Sequence, residues 1–337
     1  MMMNKPFWLT VCILLTCIVA CHGVSQVQSK PGNVEPSAEI VEEFDIPYPP
    51  PAGGDPALSQ LDIYYKPDGA PKRLLVFVHG GSWIGGDKGN LRSTMDLVNW
   101  FVDRGFVVAA PNFRLASSEE PREVTYAEQV TDIAYALAWL DENGAAYGVT
   151  EPGMVLLGYS SGAHLVALLA ADERYLQLAG LAHDDLAAAM SFDVHAYDVP
   201  YALQLMQGSE LADNIPLIEF LFGATEAEQR VGSPSSYAPT ADMPPTLLIS
   251  ADPSAVVGTK GYIAYQTTER YANLLADLGH TVAWSHFDDE THHSLVADFG
   301  TAGDRPTAVV KTFLEGLSLW PSGSQVYLPV VTTEKRP

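Results

Sequence analysis

The residues best suited to chemistry surround one serine. Leu156-Leu157-Gly158-Tyr159-Ser160-Ser161-Gly162-Ala163 reads as a strand, a Gly-x-Ser-x-Gly turn and the start of a helix. A serine between a buried strand and a helix sits in a tight, strained turn. Gly158 and Gly162 let the flanking elements approach closely, which leaves the Ser160 hydroxyl exposed at the end of the sheet. The helix that follows presents N–H groups without helical partners, and these favour a negatively charged oxygen. Ser160 is therefore the expected nucleophile, with Ser161 offering its backbone N–H. A hydroxyl attacks only when a base takes its proton, so a histidine must lie within hydrogen-bond reach. A second motif, His79-Gly80-Gly81-Ser82-Trp83, follows the apolar run Leu74 to Val78. Its glycines allow the backbone to turn its amides towards a ligand.

Taken together, the two motifs resemble those of α/β-hydrolase-fold serine esterases with an HGGxW loop and a GxSxG elbow. That group includes acetyl-xylan/feruloyl-type esterases, carboxylesterases and arylformamidases. The resemblance covers Leu58 to Leu317 and extends to Pro111-Asn112-Phe113-Arg114-Leu115, Ala196 to Pro200 and Ser233 to Tyr237. It implies an oxyanion hole built from the amides of Gly81, Ser82 and Ser161, a site wall containing Trp83 and Tyr159, and no cofactor. The family order is serine, acid, histidine. His292-His293-Ser294-Leu295, followed by Gly300-Thr301-Ala302-Gly303-Asp304, matches the family's closing loop. That match implies His292 as the base, with His293 as the alternative.

The resemblance places the acid in the loop after a strand at Thr246 to Ile249, here Ser250-Ala251-Asp252-Pro253-Ser254-Ala255-Val256-Val257. Aligned without a gap, the acidic position falls on Ser254; shortened by two, it falls on Asp252. The position must hold the imidazole's tautomer and stabilise the imidazolium, which serine does poorly. Asp252 is the expected acid, and Asp193, after the strand Ala188 to Phe192, is the alternative. The histidines and carboxylates between His286 and His293 fit no standard zinc spacing, so no metal is expected there.

The elements that must position these residues alternate. Continuous apolar runs at Leu74 to Val78, Phe106 to Ala110, Met154 to Leu157, Thr246 to Ile249 and Val282 to Trp284 suit parallel strands buried on both faces. Ile40 to Ile46 and Leu58 to Lys66 suit edge strands. Helical patterns lie at Leu91 to Arg104, Tyr126 to Asn143, Ala163 to Ala171, Gly261 to Leu278 and Arg305 to Leu317. The fold class is α/β, a mostly parallel sheet with helices on both faces. Residues 198–237 break the rhythm and are expected to form a cap over the carboxyl ends of the strands. Tyr201, Leu205, Met206, Phe220 and Phe222 from this insertion are candidate pocket lining.

Composition bounds the remaining possibilities. With 47% hydrophobic residues and 18% charged, disordered and fibrous architectures are excluded. Eighteen basic against 41 acidic residues give a net charge of −23, which repels phosphate backbones and argues against a nucleic-acid partner. All three cysteines (Cys12, Cys17, Cys21) lie in the first 21 residues, so the rest of the chain holds neither a disulfide nor a cysteine nucleophile. Lys5 and the apolar run Phe7 to Ala20 read as an export signal, and Ile18-Val19-Ala20-Cys21 resembles a lipobox. The expectation is a leader over residues 1–21 with lipidation at Cys21, an ordinary signal peptide cut near Ala20 or Gly23 being the alternative, then a tether at 22–38, a catalytic domain at 39–319 and a tail at 320–337. Membrane contact is expected only through that lipid. The expected activity is hydrolysis of small or carbohydrate-linked esters, outside the cytoplasm. An amidase, or an inactive binding protein on the same fold, is the competing reading.

Overall fold

The computed structural model describes residues 39–117 and 123–320. Residues 1–38, where a leader, the Cys21 lipidation site and a tether are expected, and residues 321–337 of the expected tail lie outside the described residues. No helix among the described residues is long and apolar enough to cross a membrane.

Two edge strands open the chain, β1 (Val41–Pro47) and β2 (Gln60–Tyr65), paired antiparallel. The apolar runs then become β3 (Arg73–Val78), β4 (Phe106–Pro111), β5 (Met154–Tyr159), β6 (Leu186–Phe192), β7 (Thr246–Ala251) and β8 (Val282–Phe287). The eight form one sheet in the order β1-β2-β4-β3-β5-β6-β7-β8. From β4 to β8 every pairing is parallel. Successive side chains of a strand point to opposite faces. Accordingly Leu74, Val76 and Val78 of β3 enter one core, and Leu75 and Phe77 enter the other. A strand buried on both faces needs apolar residues throughout, which is why these runs show no polar alternation.

Helices cover both faces. On one side pack α2 (Tyr126–Asn143), α3 (Ser161–Ala171) and α8 (Lys260–Asp277); on the other pack α1 (Met95–Val102) and α10 (Arg305–Gly316). A capping box at Thr125 and Glu128 fixes the start of α2. The helical pattern at Leu91 to Arg104 resolves differently, into a 3₁₀ turn at Lys88–Ser93 followed by α1. The Asp87 side chain accepts from Gly89 N, and Asn112 Oδ1 accepts from Lys88 N at 2.6 Å, so side-chain bonds hold a tighter turn there. A short α4 (Arg174–Leu178) precedes β6. Between β6 and β7 the insertion supplies α5 (Val199–Met206), α6 (Ile215–Phe222) and α7 (Glu226–Val231). The short α9 (Ser294–Ala297) follows the histidine-bearing loop.

Candidate active site

Parallel pairing brings the carboxyl ends of β3, β5, β6, β7 and β8 into one row. Each of the first four hands the chain directly to a residue of interest: His79, Ser160, Asp193 and Asp252. Ser160 is held at φ 56°, ψ −125°, a conformation that non-glycine residues rarely adopt. Two glycines make the turn sterically feasible. A Cβ on Gly158 would lie 2.2 Å from the Gly162 carbonyl oxygen, and one on Gly162 would lie 2.2 Å from that of Val78. Ser160 N donates to Phe192 O at 2.8 Å, which prolongs the sheet ladder up to the turn.

His292 comes from the loop after β8. Its Nε2 lies 3.1 Å from Ser160 Oγ, and its Nδ1 lies 2.5 Å from Asp193 Oδ2. Because a carboxylate accepts, Nδ1 carries the proton and Nε2 presents its lone pair to the hydroxyl. Asp193 is buried, and its other oxygen accepts from Ala251 N at 3.0 Å, so the carboxylate cannot swing away. The Tyr159 ring packs 4.7 Å from the imidazole, and its hydroxyl donates to His292 O at 2.9 Å. Burial, with Asp193 and Asp252 close by, raises the Tyr159 pKa, so the phenol remains a donor. His293 is exposed on the rim of the same cleft.

The expected acid, Asp252, does not touch the imidazole. Its Oδ1 accepts from the His292 backbone N–H at 3.4 Å, and its Oδ2 faces Lys260 Nζ at 3.1 Å. The reason is lateral spacing. Asp193 ends β6, the neighbour of the serine-bearing β5, whereas Asp252 ends β7, one strand of about 4.8 Å further away. Ser254, the ungapped candidate, donates through both N and Oγ to Asp288 Oδ1 at 2.8 Å and lies outside the constellation. His286 is occupied separately, with Ser250 Oγ 2.9 Å from its Nδ1 and Asp288 Oδ1 3.2 Å from its Nε2.

The loop after β3 lies against the serine turn: a Cβ on Gly80 would come within 2.7 Å of Ser160 Cβ. Gly81 (φ 136°), Ser82 (φ 54°) and Trp83 (φ 64°) all adopt left-handed backbone. Among the described residues, no hydrogen bond uses the N–H of Gly81, Ser82 or Ser161, which leaves three donors beside the serine. His79 sits buried beneath the loop, stacked 4.3 Å from Phe113, and burial lowers its pKa.

A cavity of about 400 Å³ opens over Ser160, with Ser82, Tyr159, Ser160, His292 and His293 on its walls. The loop from His79 to Gly81 also lines it, and so do Phe77, Asn90, Ser93, Thr94, Val296 and Ala297, six residues that sequence did not single out as lining. Asn90 and Ser93 belong to the unexpected 3₁₀ turn and Thr94 caps its end, so that turn supplies part of the rim. Two expected lining residues are elsewhere. Trp83 is buried against His164 and Phe222 behind the loop, because its left-handed backbone turns the indole inward. Tyr201 packs under Arg270 of α8 (4.6 Å) in a separate groove. The other insertion candidates (Leu205, Met206, Phe220 and Phe222) contribute to the hydrophobic core and not to this cavity.

The sheet, the serine elbow and the Ser–His–Asp constellation define a protein of the α/β-hydrolase class. The BD-FAE family model matches residues 61–261, and the chain belongs to that family. Esterase LipQ of Mycobacterium tuberculosis is 29% identical over 264 residues, a match covering 74% of this chain and 56% of LipQ. The chain therefore spans only about half the length of that relative. Among solved structures, Esterase B from Lactobacillus rhamnosis superposes with a TM-score of 0.64 at 19% identity, covering 83% of this chain and 88% of that one. A truncated carbohydrate esterase from gut microbiota gives 0.62 at 16% identity, covering 84% and 98%.

Proposed function

We propose that the protein is a serine carboxylic-ester hydrolase that acts through an acyl-enzyme on small or carbohydrate-linked esters. The observation that carries this reading is His292 bridging Ser160 Oγ (3.1 Å) and Asp193 Oδ2 (2.5 Å) beside three amides without partners among the described residues. Ser160 Oγ attacks the ester carbonyl while His292 Nε2 takes its proton, and Asp193 stabilises the imidazolium. The amides of Gly81, Ser82 and Ser161 receive the tetrahedral oxyanion, assisted by the amino end of α3. Collapse expels the alcohol, which takes the proton from His292. Water, deprotonated by the same nitrogen, then releases the acid and restores Ser160. None of these steps calls on a cofactor.

LipQ is named an esterase and supports ester cleavage; the gut carbohydrate esterase, at 16% identity, shares only the fold. The hydroxyl- and amide-bearing rim at Ser82, Asn90, Ser93 and Thr94 suits a polar alcohol portion. The leader and Cys21 support export, with the protein tethered by lipid or released.

The test is hydrolysis of p-nitrophenyl acetate, butyrate and octanoate by the wild type and by Ser160→Ala. Turnover of the short esters, reduced at least ~10⁴-fold in the variant, is the expected result. Folded wild type that cleaves formanilide and none of the three esters would replace this reading with an amidase. Absence of turnover on all four would favour a binding protein.

A further inference from the structure

Ser82 and Trp83 are consecutive non-glycine residues in left-handed backbone, φ 54° and 64°. Such a pair persists only where its surroundings over-determine it. Three features do so here. Ile84 N and Gly85 N donate to Gly81 O at 3.1 and 2.9 Å. The buried indole sets its Nε1 3.4 Å from His164 Nδ1 on α3. Finally, Trp83 O accepts twice, from Ala116 N at 2.9 Å and from Gln129 Nε2 at 2.6 Å.

Gln129 is the informative partner. It lies on α2, 46 residues from Trp83 in the chain, and is fully buried. Its amide can face only one way, since the reverse would set two oxygens 2.6 Å apart. In this orientation Oε1 has no partner among the described residues. A buried carbonyl without a donor is destabilising, and leucine or methionine at the same helical position would avoid that penalty. Stability does not account for the amide, whereas its N–H, aimed at the strained turn, does.

We propose that Gln129 is a positioning residue. Its N–H locks the Ser82-Trp83 turn and so aims the Gly81 and Ser82 amides at the oxyanion. The proposal rests on the serine-esterase reading.

The test uses the full chain with Gln129→Met, which removes the donor at similar volume, and Gln129→Glu. Loss of aim weakens binding of the transition state more than that of the substrate. In Gln129→Met, kcat is expected to fall about 10- to 100-fold with KM within about threefold, less than the loss of a hole donor itself. Inhibition by a phenylboronic acid, which forms a tetrahedral adduct on serine, should weaken by the same factor. In Gln129→Glu the protonated carboxyl regains a donor, and burial raises its pKa. The ratio of variant to wild-type kcat should therefore rise as pH falls below neutrality, a readout that a merely structural amide would leave flat. A folded Gln129→Met with kcat and boronic-acid affinity within about twofold of wild type would overturn the proposal. Should that variant fail to fold, a flat pH ratio in Gln129→Glu overturns it. Wild type without ester turnover would instead sink the esterase reading. A crystal structure of either variant then decides the positioning role alone: departure of Ser82 and Trp83 from left-handed backbone supports it, and retention overturns it.

Discussion

The imidazole of His292 is held by Asp193 at the end of β6, 2.5 Å from Nδ1, while Asp252 at the end of β7 reaches only the His292 backbone N–H at 3.4 Å. Two carboxylates from adjacent strands thus serve one histidine unequally. Asp193→Asn would leave Nδ1 facing an amide and release the tautomer. It is expected to lower kcat by about 10³- to 10⁴-fold, whereas Asp252→Asn, which disturbs a long backbone contact to His292 and a partly exposed ion pair with Lys260 but leaves the imidazole's partner in place, should stay within about tenfold of wild type. Rates on p-nitrophenyl acetate decide the matter, and the reverse ranking would return the acid role to Asp252.

His164 links stability to pH. It is fully buried on α3, its Nε2 donates to Gly232 O at 2.8 Å, and burial holds its pKa down to about 4. The unfolded chain has the ordinary value near 6.5 and binds the proton first as pH falls. This contribution is therefore fully present above about pH 6.5 and is lost towards pH 4, amounting to about 2 kcal/mol between pH 8 and pH 5. Urea unfolding at both values should show that loss in the wild type and a correspondingly smaller one in His164→Gln. Equal losses in the two proteins would mean that His164 titrates normally in the folded state.

Gly162 is a packing requirement as well as a motif position. A Cβ there would meet the carbonyl oxygens of Val78 and His79 at 2.2 and 2.5 Å, both backbone atoms that cannot step aside. Gly162→Ala should push α3 off the end of β3, cost ~1–3 kcal/mol or more, and misplace Ser160. Gly316, at the end of α10 with nothing within 4 Å of the added carbon, is the control, and alanine there should be neutral or stabilising by up to ~1 kcal/mol. Comparing the thermal midpoints and kcat values of the two variants checks both expectations.

What the sequence determined by itself is local. The nucleophile turn is written in Gly158, Ser160 and Gly162 because its steric demand falls on near neighbours. The parallel strands are written in unbroken apolar runs, because burial on two faces admits nothing else. His292 was implied by the family resemblance of its closing loop, with His293 left open, and the structure sets the His292 ring between Ser160 and Asp193. Tertiary structure decided what depends on lateral distance between strands and on loop direction. Asp193 and Asp252 both follow apolar strands and look alike in sequence; only the strand order places one beside β5 and the other a strand further away. Trp83 and Tyr201 look like pocket aromatics, yet the left-handed backbone at Trp83 turns the first into the core, and α8 claims the second. Gln129 carries no signal in its own helix, because its partner is a carbonyl oxygen 46 residues away, fixed in place only once α2 has docked on the sheet.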